Sequence, residues 1–296
     1  MQRITDQVIR LGNRYFNYYL VGEPIAALIE GGVTGGVVSL REQWPGLDHL
    51  VKRPEVKYLM AMHGHFDHVC GLPSLKEIFP KARVLASKEA QKVLTKPKIV
   101  ADFFYQDVKM TEVLHEKEII PQLVKSPSVE MISVDQVVGA EDRLDLAKGV
   151  QLNILETPGH SPCSIAAYLP QDQVMFISDA AGFQINQVDI FPIFFQSYEQ
   201  YLETIKRLRS FSTRVIAVAH GRIIQGEEID FFYDRALDTA ITLFNEIQRK
   251  LDQGIEEAPL IQELFERYYR EDLRIYTPEN IMLCVELLVR RVKECI

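Results

Sequence analysis

The sequence predicts a layered α/β fold that ends in a helical extension, and three observations carry that expectation. Short apolar runs separated by turn signals fill the first third of the chain. Strand and helix patterns then alternate, which is how a sheet comes to be covered by helices. Beyond Gln225 apolar residues recur every three or four positions, the spacing of a helix face.

Residues 8–11, 16–21 and 25–29 are apolar or β-branched, and Gly12-Asn13, Gly22-Glu23-Pro24 and Gly31-Gly32 follow them as turns. Residues 57–62 form a further strand that runs into a histidine cluster; 72–79 read as a helix and 82–86 as a strand. Residues 97 to about 130 mix charge with Phe103, Phe104, Tyr105, Val108, Val113 and Leu114. They read as an inserted helical segment, either a lid or an ordinary surface helix pair. Strands return at 151–155, 165–169 and 173–177. Residues 198–211 form an amphipathic helix with Leu202, Ile205 and Leu208 on one face, and 214–219 a buried strand that again meets a histidine. Leu237, Ile241, Phe244, Ile247 and Leu251 share a helix face until Gly254 breaks the run. Thr277-Pro278 is a helix start, a capping hydroxyl followed by proline at the first helical position. The expected organisation is one domain over 1–224, with the insertion at about 97–130, and a helical extension over 225–296 packed on it.

Bulk composition narrows the function. With 296 residues, 47% hydrophobic and 25% charged, the chain suits a soluble globular protein of one large domain with an appendage. A formal net charge of -8 repels phosphate backbones, which weighs against a nucleic-acid binder. Most of that charge sits in 225–296, where nine basic residues face sixteen acidic ones. The first residues show no basic start with an apolar run behind it, and no stretch reaches the roughly 18 apolar residues of a membrane span. The four cysteines, Cys70, Cys163, Cys284 and Cys295, show no CxxC and no framework spacing, so a reducing cytoplasm is the expected setting.

The strongest chemical signal is Met62-His63-Gly64-His65-Phe66-Asp67-His68. Residues two apart on an extended backbone point the same way, so His63 and His65 can grip one ion together. A turn into the helix near Gly71 swings Asp67 and His68 toward a second position. Imidazole and carboxylate donors suit zinc, iron or manganese without choosing among them. Three further donors repeat the placement at strand ends: His160 in Thr157-Pro158-Gly159-His160, Asp179 in Ile177-Ser178-Asp179, and His220 in Ala219-His220-Gly221. Each taken alone reads as a cap, a turn residue or a core histidine. Together, five of the seven histidines stand at strand-to-loop junctions, which scattered core histidines do not produce. His49 and His115 fit no such junction and read as surface or structural residues. Cys70 and Cys163 flank the donors and read as small buried packing residues. Ser161, Ser178 and Cys163 are near enough in sequence to orient the imidazoles.

The HxHxDH at 63–68, the downstream His160, the strand-end Asp179 and the last His220 resemble, in order and spacing, the metallo-β-lactamase fold superfamily. The resemblance covers residues 1 to about 222. It implies an αββα four-layer sandwich with the site at one edge. It implies that His63, His65 and His160 hold one metal ion, that Asp67, His68 and His220 hold a second, and that Asp179 bridges both. His68, directly after Asp67, and the absent export signal separate the chain from true β-lactamases of this fold. The pattern is nearer to the glyoxalase II, lactonase, ribonuclease Z and phosphodiesterase branches. Residues 26–32, Gly71-Leu72-Pro73 and the C-terminal helices are similar to the thioesterase branch that includes the quinolone-signal response protein. Glyoxalase II holds glutathione with basic side chains on its C-terminal helices, whereas here those helices are acidic.

The resemblance implies a hydrolase using two divalent cations (zinc, iron or manganese). A hydroxide shared between them serves as nucleophile, and one metal absorbs the developing charge. Asp67 and Asp179 are then the catalytic carboxylates, Asp179 also receiving a proton as the intermediate collapses. Residues 183–195 are apolar for a segment just after a metal ligand, which suits either an acyl pocket or core contacts to the C-terminal helices. If they line the pocket, the expected substrate is a small molecule with an apolar acyl group, as thioester, ester or lactone. The competing readings are a phosphodiesterase or ribonuclease of the same fold, and a regulatory protein acting by binding through its C-terminal helices. Neither membrane nor nucleic acid is expected as a partner, and a homodimer stays open.

Overall fold

Strands buried on both faces need cover on both sides, and two sheets between helices supply it. The computed structural model describes residues 1–147 and 149–296. The first sheet has seven strands in chain order: β1 (Gln2–Arg3), β2 (Val8–Gly12), β3 (Asn17–Val21), β4 (Ile25–Ile29), β5 (Glu55–Met60), β6 (Arg83–Ala86) and β7 (Gln136–Val137). It is antiparallel through β4 and parallel from β4 to β7, with helical crossovers making the parallel part. Those crossovers carry α1 (Thr34–Gln43), α2 (Phe66–Val69), α3 (Leu72–Ile78), α4 (Lys88–Leu94) and α5 (Pro97–Glu116).

The second sheet contains β8 (Arg143–Ala147), β9 (Val150–Glu156), β10 (Ile165–Leu169) and β11 (Val174–Ser178). A small separate hairpin follows, β12 (Phe183–Gln184) with β13 (Ile190–Phe191). After α6 (Tyr198–Arg209), β14 (Val215–Val218) and β15 (Ile224–Gln225) return to the second sheet, whose order is β15-β14-β11-β10-β9-β8. Among the described residues, only β11 and β14 pair in parallel there.

Period-two alternation within single strands assigns side chains to layers. In β4, Ala27 and Ile29 join a core between the sheets, while Ala26 and Leu28 join the core under the helices. Likewise Val174 and Phe176 of β11 face the inter-sheet core, and Met175 and Ile177 face the helices. The Tyr19 and Phe176 rings meet edge-on between the sheets at 5.4 Å. This is the four-layer αββα sandwich.

The 97–130 segment holds one helix, α5; residues 117–135 run on without regular structure. Helix α5 is clamped to the start of α1: the buried Asp107 carboxylate accepts from Thr34 N at 2.8 Å and Ser126 Oγ at 2.5 Å. Helices α1 and α4 and strand β8 are elements that the local patterns of the sequence did not announce. In α1, a Cβ on Gly35 would stand 2.9 Å from the end of the Leu114 side chain and 3.3 Å from Thr111 Cα of α5, so the two helices approach closely at that glycine.

The C-terminal helices are α7 (Glu228–Asp252), α8 (Glu257–Tyr268) and α9 (Pro278–Lys293), with a 3-10 turn over Glu271–Ile275. Thr277 caps α9 by accepting from Asn280 N, as its sequence foretells. Tyr198 of α6 stacks on Phe244 of α7 at 3.9 Å. The 3-10 turn is tied back by Asp272 N donating to Ile185 O at 3.2 Å and by Arg270 pairing with Asp189 at 2.7 Å. Among the described residues, no helix is long and apolar enough to cross a membrane.

Candidate metal centre

All seven donors expected from the sequence meet at one edge of the sandwich. They arrive from the C-terminal ends of four strands. His63, His65, Asp67 and His68 follow β5, His160 follows β9, Asp179 follows β11 and His220 follows β14. His65 is the extended residue before α2, so the chain changes from strand-like to helical between His65 and Asp67. That change turns Asp67 and His68 away from the His63–His65 pair. Gly64 between those two donates its N–H to Cys163 Sγ at 3.2 Å. Gly159 (φ +123°) sets the turn before His160; a Cβ there would stand 2.3 Å from the Tyr201 backbone. His49 and His115 lie exposed and apart, and Cys70 is buried without joining the cluster.

The donor atoms form a continuous set. His63 Nε2, His65 Nδ1 and His160 Nε2 lie 3.0–3.2 Å from one another. His68 Nε2 and His220 Nε2 are 3.2 Å apart, and Asp67 Oδ2 is 3.5 Å from the first and 3.4 Å from the second. Asp179 stands between the two groups. Its Oδ2 is 3.7 Å from His63, 3.6 Å from His160 and 3.3 Å from His68, while Oδ1 is 3.7 Å from His220. Three overlapping triads, His63/His65/His160, His63/His68/Asp179 and Asp67/His68/His220, each bring their donor atoms within 4.8 Å.

Groups behind the imidazoles settle which nitrogen faces inward. His160 Nδ1 donates to Ile193 O at 2.9 Å and His220 Nδ1 to Tyr15 O at 2.8 Å. A carbonyl can only accept, so each Nδ1 carries a proton and each Nε2 is the nitrogen turned to the centre. His68 Nδ1 pairs with the buried Glu30 carboxylate at 2.9 Å. Ser178 Oγ lies 3.5 Å from His63 Nδ1 and 3.4 Å from His68 Nδ1. Glu30 and Ser178 both have positive φ, 78° and 49°, a conformation uncommon for non-glycine residues. Of the three residues expected to orient the imidazoles, Ser178 touches them directly. Cys163 acts on the Gly64 loop, and Ser161 bonds Ser164 at 2.7 Å and Cys163 at 3.3 Å.

With protein charges alone, burial drives His65 down to about 3 and lowers His63 and His160 as well. These three imidazoles are therefore neutral bases whose lone pairs converge. Burial opposes charge at His68 and His220 too, but Asp179, Asp67 and Glu30 outweigh it at His68, and Asp67 and Asp179 outweigh it at His220, so both are raised. Burial would raise Asp67 and Asp179, yet the His68 and His220 charges hold both low. Neutral nitrogens at about 3 Å, beside two ionised carboxylates, are the donor set a pair of divalent cations fits: the lone pairs repel one another until a cation lies among them.

Glu30, Tyr15, Ile193 and Tyr276 were missed as contributors. Tyr276 Oη donates to Asp67 Oδ2 at 2.7 Å. Glu30 had a weak signal, a carboxylate directly after an apolar strand and before Gly31-Gly32. The carbonyls had none, because any residue supplies one.

Beside the donors opens a cavity of about 180 Å³, walled by Phe183, Phe191, Ile193 and Phe195 on one side and by α5 and α9 on the other. His65, His160, Asp67 and Asp179 line its floor. The 183–195 segment thus lines a cavity and also packs in the core, where Ile185, Ile190 and Phe194 are buried.

The metallo-beta-lactamase superfamily model matches residues 12–220. The chain is 25% identical over 251 residues to a metallo-beta-lactamase fold-containing protein of Sulfurisphaera tokodaii, 80% of this chain and 82% of that one. It is 27% identical over 155 residues to a hydroxyacylglutathione hydrolase of Rhizobium meliloti, 51% of this chain and 45% of the relative. Among solved structures, a metallo-beta-lactamase family protein of Thermus thermophilus superposes with a TM-score of 0.60 at 18% identity, covering 96% of this chain and 92% of the other.

Proposed function

The chain belongs to the metallo-β-lactamase superfamily, and from that premise we propose that it is a hydrolase working with two divalent cations on a thioester, ester or lactone of a small apolar acyl group. The observation that carries the substrate reading is the cavity. Its floor is the donor cluster, its walls are largely aromatic and aliphatic, and among the described residues no lysine or arginine lines it. At about 180 Å³ it is smaller than the roughly 300–1,000 Å³ of drug-sized sites, which suits a short acyl group. A phosphodiester would enter without a cationic side chain to meet it. The hydroxyacylglutathione hydrolase among the relatives supports thioester chemistry. The cationless lining weighs against the glutathione carboxylates.

In this reading His63, His65 and His160 hold one cation, Asp67, His68 and His220 the other, and Asp179 reaches both. When bound, the cations acidify the attacking water and polarise the oxygen under attack. The protein's own groups orient and shield. The Ile193 and Tyr15 carbonyls and Glu30 keep His160, His220 and His68 turned inward. Asp179, on the cavity floor, offers a carboxylate oxygen to receive the proton that the attacking water gives up. The apolar walls exclude bulk water, which strengthens each charge interaction inside. Cys284 lines the cavity half-buried, and burial, with the Asp67 and Asp179 charges adding, pushes its thiol up to about 12, away from the reactive thiolate.

Metal analysis together with a panel of thioester, ester, lactone and phosphodiester substrates tests the proposal. Two cation equivalents and fastest turnover of a short apolar acyl substrate are expected. Preferential turnover of the phosphodiester overturns the substrate reading, and failure to take up any cation overturns the hydrolase reading.

A further inference from the structure

Tyr276 enters the centre from beyond residues 12–220, the stretch the family model matches. It follows the 3-10 turn Glu271–Ile275 and precedes the cap of α9. Its ring is buried, with edge contacts to Phe183 at 5.6 Å and to Phe66 and His220 at 6.3 Å. Its backbone is held from the other side, where Tyr269 Oη donates to Tyr276 O at 3.1 Å and the Tyr269 ring stacks on Phe265 at 5.0 Å. The hydroxyl of this fixed ring donates to Asp67 Oδ2, the oxygen that also stands nearest His68 and His220.

The torsion that spins a carboxylate about its last bond is broad and soft. Nothing in the first turn of α2 stops Asp67 from presenting either oxygen, or neither, to the neighbouring imidazoles. A phenol at 2.7 Å does. An oxygen with more than one lone pair accepts the phenol on one and keeps another for the centre.

We infer that Tyr276 is a positioning residue: its hydroxyl locks the Asp67 carboxylate beside His68 and His220, so that the C-terminal extension completes the second cation position. The inference rests on the two-cation reading above. The cation position formed by His63, His65 and His160 has no such dependence.

Tyr276→Phe keeps the ring and removes the hydroxyl. The full-length variant and the parent, both stripped of metal, are titrated with Co²⁺ and followed by visible absorption, which reports the ligand field around each equivalent. The parent is expected to take up two equivalents. In the variant the first is expected to bind as in the parent, and the second about 10–100-fold more weakly, with an altered absorption band. A retained first equivalent shows that the variant is folded. The inference is overturned if the second equivalent binds with parental affinity and spectrum, or if both equivalents weaken together, which marks Tyr276 as a packing residue. A parent that binds only one equivalent overturns the two-cation reading instead, so the two failures are told apart.

Discussion

At the scale of the residue, the centre depends on keeping imidazoles neutral where neutrality serves and charged partners close where it does not. Desolvation is the largest cause suppressing charge on His63, His65 and His160, with neighbouring imidazoles adding to it, and it outweighs the Asp67 and Asp179 charges that oppose it at His65 and His160. His68 sits among Asp67, Asp179 and Glu30, and His220 beside Asp67 and Asp179, and the opposite charges win over burial at both. Removing one donor from either group therefore leaves a polar gap that the remaining side chains cannot close. His63→Ala and His220→Ala are each expected to lose at least one equivalent of bound metal and nearly all turnover. Elemental analysis and steady-state assays check this, and unchanged metal content in both variants counts against the ligand assignment.

At the scale of the element, the strands aim the donors and the extension braces them. The C-terminal helices carry an ion network of their own. Glu246 on α7 receives Arg267 of α8 through both guanidinium nitrogens at 2.7 Å, and Lys250 at 3.0 Å. The bond from Arg267, with Lys250 adding and burial opposing, holds the Glu246 carboxyl down to about 2 from an ordinary 4.5. A carboxyl whose folded value is depressed contributes its stability fully above the unfolded value and loses it as pH falls through the folded one. The α7–α8 contribution is thus present above pH 4.5 and fades toward about 2. Glu246→Gln is expected to lower the melting temperature at pH 6 and to lose that difference by about pH 2. Thermal melts across the range measure it, and a difference that is the same at both ends contradicts the pairing.

At the scale of the molecule, residues from 63 to 220 converge on one point, so whatever binds there ties four strand ends from both sheets together. A ligand that binds the folded state alone stabilises it by about 2.7 kcal/mol at one hundred times its dissociation constant. Saturation with zinc is expected to raise the melting temperature by several degrees, and chelation to reverse the rise. Calorimetry of stripped and reloaded protein reads this directly. Melting that is indifferent to metal would show that the donors form no cation site in the folded protein.

Legibility in the sequence followed the range of the interaction. Strand β4 and helix α9 were readable because an apolar run between turn glycines and the Thr277-Pro278 cap are local signals. The seven donors were readable because their chemistry is rare and their placement at strand ends repeats. Helix α1 was not, since glycines begin it against helix propensity, Gly35 where α5 approaches and Gly36 where the Tyr18 ring does. Nor could the chain order of residues reveal that Tyr276 bonds Asp67 across 209 positions, that Glu30 backs His68, or that two backbone carbonyls choose the tautomers of His160 and His220. Donor identity is a property of side chains and is written in the letters. The orientation of those donors, and the shape of the cavity beside them, come from contacts between distant segments, which take form only when the layers pack.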